Sequence, residues 1–319
     1  MITTNIEIAG KHLINDDIIA IPTETVYGLA GNAFSEVAIK KIFSLKKRPF
    51  YNPLIVHIKS VDYLPIVAND VPNVAMKLAN YFWPGSLTLL LKKQAIVPDL
   101  VTAGKDTVAV RVPNHDLTLQ LLSSLNFPLA APSANPFGSI SPTSAEHVHN
   151  YFNDDLNVIL DGGLCENGLE STIIGFENEQ PILYRMGAIS IEEIEKVVGT
   201  IKLKNNNSGT DVEAPGMLTR HYSPKTTIYL TNYISEEIKK FADKKIGLLL
   251  FKDLVASEIK IENQEILSEA GNMKEAAKNL YAALHRLDKL HLDVIIAERF
   301  PEIGLGKTIN DRLQRAVEK

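Results

Sequence analysis

Between Ile18 and Lys93 short apolar runs alternate with segments of helical period, and only a sheet with helices packed against it buries both kinds. The pattern predicts strands over 18–21, 53–58 and 87–91 and helices over 36–46 and 74–82. Ser35 is placed to cap the first helix, whose Ala38, Ile39, Ile42, Phe43 and Leu45 form one apolar stripe, and Trp83-Pro84-Gly85 stops the second. Further strands are predicted over 108–112, 129–131, 158–160, 172–174 and 182–184. Thr143-Ser144-Ala145-Glu146 has capping-box spacing for a short helix. The class is α/β.

A chain of 319 residues exceeds what one hydrophobic core usually fills, so two domains are expected. Periodicity dissolves near Lys202 into Lys204-Asn205-Asn206-Asn207-Ser208-Gly209-Thr210, followed by Glu213-Ala214-Pro215-Gly216-Met217, the composition of a linker. Residues 1–201 therefore read as the first domain, 202–224 as the linker and 225–319 as a smaller α/β domain. In the latter, strands are predicted over 226–230, 246–251 and 294–297, and an amphipathic helix over 274–289 turns Ala276, Ala277, Leu280, Ala283, Leu284 and Leu287 inward.

A formal charge of −5 argues against a surface built throughout for nucleic acid and favours small-molecule chemistry. The single cysteine, Cys165, has no companions of a cysteine hydrolase and reads as loop filler. With no signal-peptide pattern and no bilayer-length apolar run, a reducing cytoplasm and no membrane are expected. Gly304-Leu305-Gly306-Lys307-Thr308 ends like a phosphate-binding P-loop, but the first glycine of that motif would fall at Pro301. No metal site is readable, since His147 and His149 would point to different sides of a helix.

The informative stretches lie elsewhere. Pro22-Thr23-Glu24-Thr25-Val26-Tyr27-Gly28-Leu29 follows a buried strand, where ligands of open α/β sheets bind. Lys46-Lys47-Arg48-Pro49 and Asn52-Pro53-Leu54-Ile55-Val56-His57 come next. A second cluster comprises Thr107-Val108-Ala109-Val110-Arg111-Val112-Pro113, then Ala131-Pro132-Ser133-Ala134-Asn135-Pro136-Phe137-Gly138-Ser139, with Ser141 just after. Asp161-Gly162-Gly163, Glu170-Ser171-Thr172 and Leu183-Tyr184-Arg185 complete the set. Each alone has a structural explanation: cations complement a helix C-terminus, and short polar side chains make turns.

Together, in this order and spacing, they resemble the threonylcarbamoyl-AMP synthase family, whose catalytic module is the YrdC-like domain. The resemblance rests on the Lys46/Arg48 and Ser133/Asn135 pairs and extends through Pro215-Gly216-Met217-Leu218-Thr219-Arg220-His221-Tyr222-Ser223-Pro224 to Asn310-Asp311-Arg312-Leu313, features of the long two-domain form. It implies a twisted, mixed open sheet with flanking helices, joined to a smaller Rossmann-like α/β domain. The implied reaction condenses L-threonine, bicarbonate and ATP to threonylcarbamoyl-AMP and pyrophosphate, with magnesium accompanying ATP.

By resemblance, Lys46, Arg48, Ser133 and Asn135 are catalytic, with Lys46, Arg48 and Arg185 facing the phosphates. Asn52, Thr107, Ser133, Ser141 and Tyr222 contact ATP, and Thr25, His57, Arg111, Ala131 and Ser171 hold threonine. Arg111 would pair with the threonine carboxylate, and Tyr222 would make the linker a lid that excludes water. The product would pass to a separate tRNA-modifying transferase complex, direct tRNA binding being weak or absent. The rival from another class is a non-catalytic RNA-binding module with a basic cleft of Lys46, Lys47, Arg48, Arg111 and Arg185. Against it stand the negative net charge and the lack of aromatics interleaved with those cations.

Overall fold

Alternate residues of the first apolar run face opposite ways: Ile18 and Ala20 join one buried cluster, Ile19 and Ile21 another. That period-two split builds a sheet covered on both faces. The computed structural model describes residues 1–204, 214–216, 221–255 and 259–317; residues 217–220 of the linker motif lie outside them. Eleven strands form the first sheet, in spatial order Ile2–Thr3, Ile159–Leu160, Ile19–Ile21, Gly28–Asn32, Leu129–Ala130, Ile55–His57, Thr107–Arg111, Leu87–Lys92, Thr172–Glu177, Gln180–Arg185 and Lys202–Leu203. Parallel and antiparallel pairs mix, so the sheet is open and mixed as expected.

One face packs on the helices Glu36–Lys46, Asn73–Phe82, Ala145–Phe152 and Ile191–Val198, and the other, at one end, on Ile6–Ile14 and Asp116–Ser124. In mid-sheet the apolar cluster of that second face is Ile55, Leu90, Ala109 and Ile173, with Tyr184 packed against it and Ala214 of the linker joined to it. A sheet face without a helix is where a cleft can open, and this one does.

Four parallel strands form the second sheet, ordered Thr227–Thr231, Val294–Glu298, Ile246–Leu250 and Gln264–Ile266. The helices Met273–Asp288 and Leu305–Val317 pack on it through Leu280, Leu284, Ile309 and Leu313. Their cluster also takes in Val26, Ile140 and Leu169 of the first domain, so the two units share a core.

Several local readings are corrected. Gly28–Asn32, taken as loop, is a strand antiparallel to Ile19–Ile21; its glycines replace bulk because a Cβ on Gly31 would come within 3.3 Å of Ala38, Ile18 and Ile42. The cap of the helix Ala145–Phe152 is Ser144, not Thr143: its hydroxyl accepts the His147 N–H. Lys202–Leu203, read as linker, pairs as an edge strand with Ile182 and Leu183. The helices Ile6–Ile14, Asp116–Ser124, Ile191–Val198 and Leu305–Val317 had no sequence reading, although Ser190 and Glu193 form a capping box before Ile191. The P-loop-like Gly304–Thr308 segment serves docking: Lys307 pairs with Glu192 at 2.7 Å and Thr308 Oγ1 donates to the Gly187 carbonyl at 3.1 Å.

The joint has two further anchors. Gly168, at φ +67°, lets its loop lie against the helix Met273–Asp288, where an added Cβ would fall 2.3 Å from the Lys278 carbonyl oxygen. Gly168→Ala should therefore lose at least about 1–3 kcal/mol of stability, read from the urea midpoint; an unchanged midpoint would refute the contact.

The second anchor is an imidazole stack. His285 lies 3.9 Å from His147, and its Nε2 contacts the Ser141 carbonyl at 3.2 Å. Burial, then nearby cations, holds His147 down at about 4; burial, then His147, holds His285 down at about 3, against an ordinary value of 6.5. Unfolded imidazoles take up protons near 6.5 while the folded ones do not, so stability is whole above that pH and drains as pH falls towards 4. The melting temperature should drop over that interval, and less so in His285→Gln, whose amide still reaches Ser141; parallel profiles would count against the stack as the cause.

Candidate active site

The cleft over the bare sheet face is lined by Thr23, Thr25, Val26, Gly28, Arg48, Ile55, His57, Arg111, Ala131, Pro132, Ser133, Glu170, Ser171, Arg185, Pro215, Gly216, His221 and Tyr222. Charged and hydroxyl side chains converge there on one concave wall, the pattern of a small-molecule site. Its walls are set by main-chain pairing. Leu29 N donates to the Pro132 carbonyl at 2.8 Å and Ala134 N to the Tyr27 carbonyl at 2.7 Å, zipping the 131–135 loop to the start of a strand. Ala131 N donates to the Ile55 carbonyl at 2.9 Å. Thr25 is fixed by a turn in which the N–H groups of Thr25 and Val26 donate to Thr23 Oγ1.

Of the residues expected from sequence, Thr25, Arg48, His57, Arg111, Ala131, Ser133, Ser171, Arg185 and Tyr222 meet on this wall. Lys46, Asn52, Thr107, Asn135 and Ser141 stand off it, which changes how they can act. The Lys46 ammonium, 1% exposed, donates to the carbonyls of Ser133, at 2.6 Å, and Asn135. A buried ammonium needs acceptors, and here it clamps the serine loop instead of facing an open cleft. Asn135 Nδ2 closes the same loop onto Pro136 and Ser139 carbonyls at 3.0 and 2.9 Å. Asn52 Oδ1 accepts from Arg48 Nη2 at 2.5 Å, aiming the guanidinium. Ser141 donates to Glu170 Oε1 at 2.6 Å, so while that bond stands its oxygen can only accept, unsuited to a phosphate oxygen. Thr107 begins the strand that ends at Arg111, opposite Lys92 and about 13 Å along it.

Sequence reasoning left out Glu24, Glu170 and His221 as site residues. Glu24, 3% exposed, accepts from Ser86 Oγ at 2.9 Å and Asn114 N at 3.0 Å. Arg111 Nη2 lies 2.5 Å from its Oε1, an ion pair without hydrogen-bond alignment. Arg111 also donates from Nη1 to Thr25 Oγ1 at 2.9 Å and from Nε to the Gly85 carbonyl at 3.0 Å, so its protein partner is Glu24. Glu24 was legible as an acid beside Thr25, but its pairing with a residue 87 places on was not.

Positive charge dominates. Arg48 and Arg185 are each 7% exposed and, among the described residues, donate to carbonyl, amide and hydroxyl oxygens; Arg185 binds the Ser171 carbonyl at 2.8 Å and, across the cleft, the Pro215 carbonyl at 2.9 Å. Burial, then the neighbouring cations, pushes Lys46, Arg48 and His221 below their ordinary values; burial chiefly does so for Arg185. His57 is brought to about 3 by burial, then by Arg111, and is neutral at pH 7. On the linker, His221 Nδ1 and the Tyr222 hydroxyl are buried at the cleft without a hydrogen-bond partner among the described residues. Cys165 is buried with its thiol pushed up, mainly by burial, which suits no nucleophile.

A pocket whose Arg48 and Arg185 have no carboxylate in ion-pair contact among the described residues, set with small hydroxyls at the strand ends of an open sheet, has the make-up of an enzyme site for a phosphorylated small molecule. The sequence profile described as telomere recombination matches residues 11–187, and that of the threonylcarbamoyl-AMP synthase C-terminal domain matches 189–317. The threonylcarbamoyl-AMP synthase of Pyrococcus abyssi is 41% identical, the alignment covering 98% of this chain and 93% of that one. That of Bacillus subtilis is 38% identical, over 97% and 92%. The crystal structure of P. abyssi Sua5 complexed with L-threonine superposes with a TM-score of 0.92 at 39% identity, covering 99% and 97%. The chain belongs to the threonylcarbamoyl-AMP synthase family. Among the described residues no helix is long and apolar enough to cross a membrane.

Glu24→Gln, which leaves Arg111 buried beside a neutral amide, should cost about 3–5 kcal/mol in urea unfolding. A loss below about 0.5 kcal/mol, the range of a neutral surface change, would show the pair to be idle.

Proposed function

We propose that this chain condenses L-threonine, bicarbonate and ATP to threonylcarbamoyl-AMP, releasing pyrophosphate. One observation carries the reading: Arg48 and Arg185 are buried on the cleft wall with no carboxylate in ion-pair contact among the described residues. Unpaired buried charge is costly, and a triphosphate with its α-, β- and γ-oxygens offsets that cost. The guanidinium forks of Arg48 and Arg185 suit phosphate oxygens and the charge that builds on departing pyrophosphate. Lys46 and Asn135 act one step back, by fixing Ser133.

The threonine half adjoins the phosphate half on the same wall, among Thr25, His57, Arg111, Ala131 and Ser171, whose hydroxyl accepts from Arg185 at 3.1 Å. The neutral amine bonds to the carbon of carbon dioxide as one C=O electron pair moves onto oxygen and the amine proton passes to solvent, giving a carbamate; from bicarbonate the same carbamate forms with loss of water. A carbamate oxygen then bonds to the α-phosphorus as the α–β bridging bond breaks, its electron pair leaving with pyrophosphate. Holding three reactants in one cleft supplies much of the rate. His57 is too weakly basic to take the amine proton and serves as a neutral, orienting wall. Among the described residues no three His, Cys, Asp or Glu side chains converge on one point. Magnesium would therefore ride on phosphate oxygens and water, adding charge neutralisation there. The linker, whose His221 Nδ1 and Tyr222 hydroxyl have no hydrogen-bond partner among the described residues, covers the nucleotide and keeps water from the mixed anhydride. The product passes to a tRNA-modifying transferase in the cytoplasm, without strong direct tRNA binding by this chain.

Pyrophosphate release should require ATP, magnesium, bicarbonate and L-threonine together. Arg48→Met should raise the KM for ATP about tenfold or more while changing the KM for threonine little. Release that ignores threonine, or none at all with RNA bound on a steep salt slope, would replace this reading with a different reaction or with the RNA-binding module.

A further inference from the structure

The second domain reaches the cleft through two side chains. Arg312, 1% exposed, donates from Nε to Glu170 Oε2 at 3.0 Å and from Nη2 to the Met186 carbonyl at 2.6 Å, pairs through Nη1 with Asp311, and sets its Cζ 4.8 Å from the centre of the Tyr222 ring. Tyr281 donates to the same Glu170 Oε2 at 2.9 Å and stacks on Tyr222, with centroids 5.8 Å apart and planes at 26°. Resting on the reaction assigned above, we propose that Arg312 and Tyr281 are positioning residues for the nucleotide, holding Glu170 and Tyr222 so that the second domain completes the active site.

Two chains of contact support this. Through Glu170, whose other oxygen accepts from Ser141, the second domain fixes a carboxylate on the cleft wall and the serine behind it. Through Tyr222 it fixes the linker. Tyr222 sits at φ +63°, a left-handed conformation that an aromatic residue keeps only where its surroundings impose it. Arg312 and Tyr281 grip the ring from one side, while Ser223 N donates to the Gly138 carbonyl at 2.8 Å and His221 N to the Arg315 carbonyl at 3.2 Å. The ring's hydroxyl, buried and without a hydrogen-bond partner among the described residues, is left at the cleft.

Docking alone does not call for this arrangement. The domains are already joined by Lys307 to Glu192, Thr308 to Gly187, His285 to Ser141 and the close pass at Gly168. A buried Arg–Glu pair adds little to stability because desolvation offsets its attraction. Its use here is to hold an ionised carboxylate beside Arg185: burial raises the Glu170 pKa, but Arg312, then Arg185 and Ser141, outweigh it and bring it below the ordinary value.

The test uses the full chain and measures three quantities: affinity for a non-hydrolysable ATP analogue by calorimetry, the KM values for ATP and threonine from pyrophosphate release, and the melting temperature. Tyr281→Phe keeps the stack and deletes only the hydroxyl; it should fold and bind the analogue about fivefold more weakly, with the threonine KM within about twofold. Arg312→Lys keeps the charge but loses the fork and should weaken the analogue about tenfold or more. Combined with Tyr222→Ala, Arg312→Lys should cost far less than the product of the two single effects, because Arg312 acts partly through that ring. Folded variants with unchanged analogue affinity would overturn the proposal, as would KM values for ATP and threonine that rise together in step with a falling melting temperature. If the wild type binds the analogue but releases no pyrophosphate with threonine, the assigned reaction fails while the affinity comparison still decides this inference.

Discussion

An ionised carboxylate survives inside a protein only where donors surround it, and Glu170 draws them from both domains. Ser141 comes from the first, Tyr281 and Arg312 from the second, while Arg185 lies close enough to feel its charge. Removing any of them would leave polar groups stranded, so this one side chain ties together the wall of the cleft, the linker ring above it and the docking of the second sheet. The shared apolar cluster of Val26, Ile140 and Leu169 with Leu280 and Leu284 gives the joint its area; Glu170 gives it its register.

The cleft itself follows from an omission. Helices cover most of both sheet faces, but over Ile55, Leu90, Ala109 and Ile173 the cover found among the described residues is Ala214 of the linker. The cleft there holds Arg48 and Arg185, with no carboxylate in ion-pair contact among the described residues, and Arg111, which pairs with Glu24. On the reaction proposed above, the side of Arg48 and Arg185 suits a polyanion, and the side where Glu24 balances Arg111 suits a zwitterionic amino acid.

Several residues that look catalytic by type act at one remove. Lys46 is a loop clamp, Asn52 aims Arg48, and Asn135 braces its own turn. Their chemistry depends on which atoms the folded loops offer as acceptors, and no spacing in the chain reveals that. Conversely, Glu170 and Arg312 stood out only as members of the Glu170-Ser171-Thr172 and Asn310-Asp311-Arg312-Leu313 stretches; their roles did not, because these lie in a contact across 142 positions.

The sequence by itself determined the α/β class, the runs that become central strands, the break into two units and the residue types gathered at the cleft. Period-two and helical hydrophobicity, caps and turn residues act over a few positions, and for that reason they can be read locally. Glycine-rich Gly28–Asn32 escaped because Gly31 answers to the helix Glu36–Lys46 packed on it and Gly28 to the loop at Ala131 and Pro132, not to strand propensity. Tertiary structure alone decided which cations stay unpaired, which polar groups brace and which face the ligand, and how Arg312 and Tyr281 reach the first domain. Burial and charge pairing depend on distances through space, and those exist only once the chain has folded.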